Sequence, residues 1–195
     1  MTGRQTPFLQ ELLGMSHSST IAKPKLSRKI RVAVNRQKIA RFSARRLCFY
    51  KKYASLVQKT LKKPLFQRFL RWMLMRESIE KHRVKDIQVR VLPFLKNNGN
   101  TLAGRCNRRG EIILYPKRLV SCRKLKSKFG KKSAFLYIKS RARAALVHEL
   151  LHLKYSSNED KVRRLTEKYL KIFTHGARNV RNPQMHNVLK ILFPN

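Results

Sequence analysis

Carboxylates are scarce in this 195-residue chain: nine Asp and Glu stand against 47 Lys and Arg, and none occurs between Glu11 and Glu77. A formal charge of +38 makes an isolated globule repel itself, so a neutralising polyanion is the expected partner, structured RNA or DNA foremost. Cysteine is scarce as well. Cys48, Cys106 and Cys122 are odd in number and form no CxxC pair, which excludes a disulfide framework or zinc knuckle and implies reduced intracellular thiols. No apolar run reaches the roughly 18 residues a membrane-spanning helix needs, so no transmembrane segment is expected. The opening residues lack a basic region leading into a long apolar stretch, which argues against a secretory signal. Ser16, Ser18, Ser19 and Thr20 fit an organellar transit peptide and Glu11 does not, so that address stays open beside a cytoplasmic ribosome or nucleoid. Positive charge is spread over nearly every segment rather than one patch, which favours nucleic acid over anionic lipid.

What is present centres on His148-Glu149-Leu150-Leu151-His152. Two histidines four apart on a helix project from one face on consecutive turns, within reach of a single Zn²⁺, and Glu149 between them is placed to take a proton from water. Phe135, Leu136, Ile138, Ala142, Ala145 and Leu146 recur at helical spacing, and no Gly or Pro interrupts 131–158, so the motif falls inside a helix. After a break at Tyr155 to Ser157, Ser157 or Asn158 is an N-cap for a second amphipathic helix bearing Val162, Leu165, Tyr169, Ile172 and Phe173 on one face. Glu159 and Asp160 lie in its first turn. A carboxylate there suits the helix dipole; it equally completes a His, His, Glu zinc set, with Glu159 the first choice and Asp160 the second.

The run Leu146 to Lys154, a short turn, and a helix containing Thr166 to Leu170 resemble the active-site segment of the minimal zincins, the SprT-like, WLM and YgjP-type predicted metallohydrolases. Gly104 to Leu119 is similar to the hairpin that precedes the metal helix in those families. The resemblance covers about residues 85–173; YgjP-type members usually carry a His where this chain has Glu159. It implies an α+β, zincin-like core of a small antiparallel sheet, the HExxH helix and the helix after it. It also implies zinc held by His148, His152 and Glu159, with Glu149 as catalytic base, and the action of many members on proteins bound to nucleic acid.

The rest of the chain divides by composition into a basic flexible arm (1–34), a basic helical hairpin packed on the core (35–84), the zincin-like core (85–175) and a helical tail (176–195). Lys23, Lys25, Arg28, Lys29 and Arg31 make the arm an extended segment that phosphate contacts would order. Arg36, Lys38, Arg41, Arg45, Arg46, Lys51 and Lys52 lie on the polar faces of a long amphipathic helix that Pro64 ends. Phe49, Tyr50, Tyr53 and Trp72 serve helix packing or base stacking, with packing favoured because most fall on the apolar stripe. Strand patterning at 86–95, 101–106 and 111–115, with turns at Asn97 to Asn100 and Asn107 to Gly110, predicts a three-stranded antiparallel sheet. Arg105, Arg108 and Arg109 sit at its hairpin tip, and Arg123, Lys124, Lys126, Lys128, Lys131 and Lys132 on a short helix and basic loop, all suited to phosphate contact. His175 either caps a helix end or assists catalysis, and His186 has no evident partner.

Two functions follow. The first is an RNA-binding, ribosomal or ribosome-associated component with a zincin-like body, favoured because charge covers the whole chain and a structural component need not dissociate. The second is a zinc peptidase recruited to nucleic acid, with a peptide substrate only in that case, favoured by the intact Glu149.

Overall fold

The computed structural model describes residues 25–34, 39–40, 42–96, 98–176 and positions 188, 191 and 192. Its elements are α1 (Lys25–Lys29), β1 (Ile30–Ala33), α2 (Ala44–Leu61), α3 (Pro64–Arg76), β2 (Asp86–Arg90), β3 (Gly104–Cys106), β4 (Glu111–Leu114), α4 (Leu119–Tyr155) and α5 (Glu159–Gly176). The class is α+β. Pro64 opens α3 at a position where its missing N–H costs nothing. On α2 the apolar stripe buries Tyr50, Tyr53, Ala54, Val57 and Leu61.

The sheet has the order β1-β2-β4-β3 and is mixed, which corrects the antiparallel expectation. β1 and β4 both run parallel to β2, and only β3 is antiparallel, to β4. The turn at Asn107 to Gly110 does fold β3 back on β4; Gly110 adopts φ +80° there, and an added Cβ would lie 1.7 Å from the Arg83 carbonyl oxygen. The chain between β2 and β3 is long enough to carry β3 to the outside, so β4 slots between β2 and β3. Ile112, Ile113 and Leu114 are buried in succession, as an interior strand covered on both faces requires.

Residues 25–33, expected as part of an extended arm, form a turn of helix and the opposite edge strand. Ile30 is buried, the Lys29 ammonium donates to the Val84 carbonyl, and Arg31 pairs with Asp86 of the neighbouring strand at 2.8 Å. Apolar burial and an ionic partner on β2 hold this stretch against the sheet.

Behind the sheet, α4 buries Ala142, Ala145, Leu146, Leu150 and Leu153. It is kinked at Gly130 (φ 79°), where the expected short basic helix meets the helix that carries His148 and His152. Phe66, Phe69, Trp72, Tyr169 and Phe173 join α3 to α5 with ring centroids 5.0–6.4 Å apart. Each such ring contributes about 1.5–3 kcal/mol by burial. Tyr50 and Tyr53 are buried and Trp72 packs on Phe69 and Tyr169, so these aromatics belong to helix packing. Cys48, Cys106 and Cys122 are free thiols. No helix among the described residues is long and apolar enough to cross a membrane.

Candidate metal centre

Helix α4 runs unbroken through the motif, so His148 and His152 fall on successive turns with ring centroids 4.7 Å apart. The helix ends at Ser156, a non-glycine residue at φ 48°. Its amide donates to the His152 carbonyl at 3.0 Å, and its own carbonyl lies 2.5 Å from His152 Nδ1. That contact places the ring proton on Nδ1 and leaves the Nε2 lone pair facing inward, the tautomer a metal needs. Asn158 then caps α5, its side-chain oxygen accepting the Lys161 amide at 3.0 Å. The tight turn between these caps fixes Glu159 as the first residue of α5, opposite both histidines.

Three separations define the site. His148 Nε2 and His152 Nε2 are 3.1 Å apart, Glu159 Oε1 is 3.3 Å from the first, and Glu159 Oε2 is 3.3 Å from the second. Ligand bonds of 2.0–2.1 Å in a tetrahedral zinc site put neighbouring ligand atoms about 3.3 Å apart. The two 3.3 Å contacts use different Glu159 oxygens; taking one ligand atom from each residue, the three lie within 4.8 Å of one another, so His148, His152 and Glu159 could gather about one ion. His148, His152 and Glu159 are the group of metal-capable side chains found among the described residues, and Asp160 is not in it. Burial first, with His152 and Arg163 adding to it and Glu159 opposing, holds His148 below its ordinary pKa of 6.5. A neutral imidazole is the metal-binding form.

Glu149 lines the same cleft as the two histidines and packs against Gly104 of the edge strand β3. It is 5% exposed, and its carboxylate accepts the backbone N–H of Cys106. Gly104 makes room for it: a Cβ there would lie 2.8 Å from Glu149 Oε1 and 2.9 Å from Cγ. Burial, then the nearby charge of Glu159, pushes Glu149 up to about 7, against the pull of the Cys106 amide. Cys106 itself is pushed up to about 11 by burial and by Glu149, so it stays a thiol.

All these groups line one open cleft of about 1310 Å³ between β3 and the start of α5. Its walls also carry Arg83, Lys96, Arg105, Arg108 and Arg163. Sequence reasoning missed Gly104 as the seat of Glu149, Ser156 as the orienter of His152, and Arg83, Lys96 and Arg163 as cleft residues. Nothing in their spacing marks them, because each meets the motif only through tertiary contact.

A second carboxylate also escaped notice. Glu77, at the end of α3, accepts hydrogen bonds from the hydroxyls of Tyr169 and Tyr155, the latter at 2.5 Å. Lys154 donates to its backbone carbonyl at 2.6 Å. This network ties the last turn of α4 to α5. Glu77 is the first acid after Glu11, and that was the available signal.

Of the residues read as phosphate contacts, Arg28, Arg45, Arg46, Lys51, Lys52, Arg105, Arg108, Arg109, Arg123, Lys124, Lys126, Lys128, Lys131 and Lys132 are exposed. Lys29 and Arg31 are engaged within the fold. Lys23, Arg36, Lys38, Arg41 and the Lys25 side chain lie outside the described residues, as does His186. His175 Nδ1 lies 2.6 Å from the Lys171 carbonyl, which is the helix-end role.

Comparison of the chain with family models, with curated proteins and with solved structures gives no match.

Proposed function

We propose that the chain is a nucleic-acid-bound, zinc-dependent peptide hydrolase with a zincin-like core. The observation that carries this reading is the convergence of His148, His152 and Glu159, with one ligand atom of each within 4.8 Å of the others, beside a seated Glu149 in an open cleft. A zinc ion supplies Lewis acidity there, which makes water a competent nucleophile near neutral pH and polarises a carbonyl. Glu149 takes the proton from water and delivers it to the leaving nitrogen. Water oxygen bonds to the carbonyl carbon, the C–N bond breaks, and a carboxylate and an amine result. A base near 7 suits that double role at neutral pH. Gly104 and the Cys106 amide hold Glu149 in place, and Ser156 holds His152.

The formal charge of +38 supports the nucleic-acid half of the proposal, with the exposed cations of α1, α2 and the first half of α4 as its contact surface. That same distribution of charge favours a second reading, an RNA-bound ribosomal or ribosome-associated component in which zinc is structural. Salt-gradient sedimentation with large ribosomal particles, zinc quantification and digestion of an unfolded protein separate the two. The hydrolase reading expects salt-sensitive association and metal-dependent cleavage that Glu149→Gln lowers by at least about 10²-fold. Full zinc occupancy, salt-resistant association with one subunit and no cleavage would overturn it in favour of the structural component.

A further inference from the structure

The cleft floor holds two carboxylates, Glu149 and Glu159, and both belong to the site. The walls hold cations on both sides of it. Arg105 and Arg108 stand on the β3 side, Arg163 stands one helical turn past Glu159 on α5, and Arg83 and Lys96 complete the rim. Arg105, Arg108, Arg163, Arg83 and Lys96 are exposed to the cleft solvent. Arg141 also reaches the cleft, but its guanidinium donates to the Tyr115 and Leu102 carbonyls at 2.8 and 3.2 Å and is committed to the fold. Among the described residues that line the cleft, Glu149 and Glu159 are the acids, both are assigned to the reaction centre, and five exposed cations surround them, so none is left to receive a basic substrate side chain. A cationic substrate is repelled and an anionic one is drawn in.

Nucleic acid and acidic protein segments are both anionic, and the site chemistry separates them. In-line displacement at a phosphodiester characteristically employs two metals about 3.5–4 Å apart. The described residues gather one metal-capable group, of three donors, and a single base beside it suits addition to a carbonyl. Resting on the hydrolase reading above, we propose that the cleft selects peptide segments carrying Asp or Glu on both sides of the scissile bond. Nucleic acid is then left to the outer basic faces.

The test uses the full-length, zinc-loaded Glu149→Gln protein and three fluorescent peptides of equal length, flanked by Asp and Glu, by Ser and Gln, or by Lys. Anisotropy measures affinity at low and moderate salt, and mass spectrometry of wild-type digests measures cleavage. The acidic peptide is expected to bind about tenfold tighter than the neutral one, a factor that two to four screened charge pairs supply. The Lys peptide is expected not to bind. Arg105→Glu combined with Arg163→Glu, checked for fold and zinc content, should erase the preference. Equal affinities would overturn the proposal, as would a preference that survives the double reversal. It would also fall if a single-stranded oligonucleotide displaced the acidic peptide and lost its own affinity in the reversed variant. Selective binding without cleavage of any peptide would instead overturn the hydrolase reading and leave the cleft assignment standing.

Discussion

Glu149→Gln is expected to lower peptide hydrolysis by about 10²–10⁴-fold while making the metal-free protein more stable above neutral pH. Both effects have one cause. The carboxylate is buried against Gly104 and Cys106, and its pKa is raised from 4.5 to about 7. A folded state that holds its proton more tightly than the unfolded chain loses stability as pH rises from 4.5 toward 7, and above 7 the full cost is present. At about 1.4 kcal/mol per pKa unit, the neutral amide should raise stability by on the order of 2–3 kcal/mol at pH 8 and by little at pH 4. Urea denaturation in the presence of a chelator across this range checks it. A variant that loses activity and also stability at pH 8 would mean that Glu149 is a structural partner and not a strained base.

The second large effect belongs to Glu77, which is not among the residues lining the cleft. Burial works to raise its pKa, but hydrogen bonds from Tyr155 and Tyr169 and the charge of Lys154 outweigh it and hold the carboxyl below 4.5. Glu77→Ala leaves two tyrosine hydroxyls without their acceptor and removes the carboxylate 3.9 Å from the Lys154 ammonium, which keeps its bond to the backbone carbonyl, at a cost of about 3 kcal/mol. For a chain of this size that is roughly 6–12 °C in Tm. Because its folded pKa is depressed, the contribution of Glu77 is present above 4.5 and lost as pH falls below it. Tyr155, pushed up to about 12 by its bond to Glu77 first and burial second, gives the network an alkaline limit, with stability lost as pH rises from 10 toward 12. Thermal melts from pH 3 to 11 should therefore show wild type exceeding Glu77→Ala most at mid-range. Tyr155 immediately precedes the Ser156 that orients His152, so zinc affinity should weaken with it. Melts that coincide at every pH would remove the network from the account.

The motif and its surroundings were legible because they are local. An uninterrupted helix, two histidines one turn apart and a capped turn place three donors by short-range geometry alone, and the structure brings those three together. The sheet was not legible to the same degree. β1 alternates Ile30, Arg31, Val32 and Ala33, yet in so basic a stretch the alternation reads as an arm; only Asp86, far along the chain, supplies its ion pair. The parallel insertion of β4 was visible in one feature, the unbroken run Ile112-Ile113-Leu114, which an interior strand has and an antiparallel strand with one wet face does not. The cleft cations, Gly104 and Glu77 act through tertiary contact, and composition is silent about which of 47 cations face one cavity.

Zinc content is the most direct test of the central claim that His148, His152 and Glu159 form one metal site. Protein purified from zinc-supplemented cells, dialysed to constant metal and analysed by elemental mass spectrometry should carry one zinc per chain. His148→Ala and His152→Ala, folded by circular dichroism, should retain a small fraction of it, and Glu149→Gln all of it. A folded wild-type chain without zinc, or histidine variants with undiminished zinc, would contradict the account.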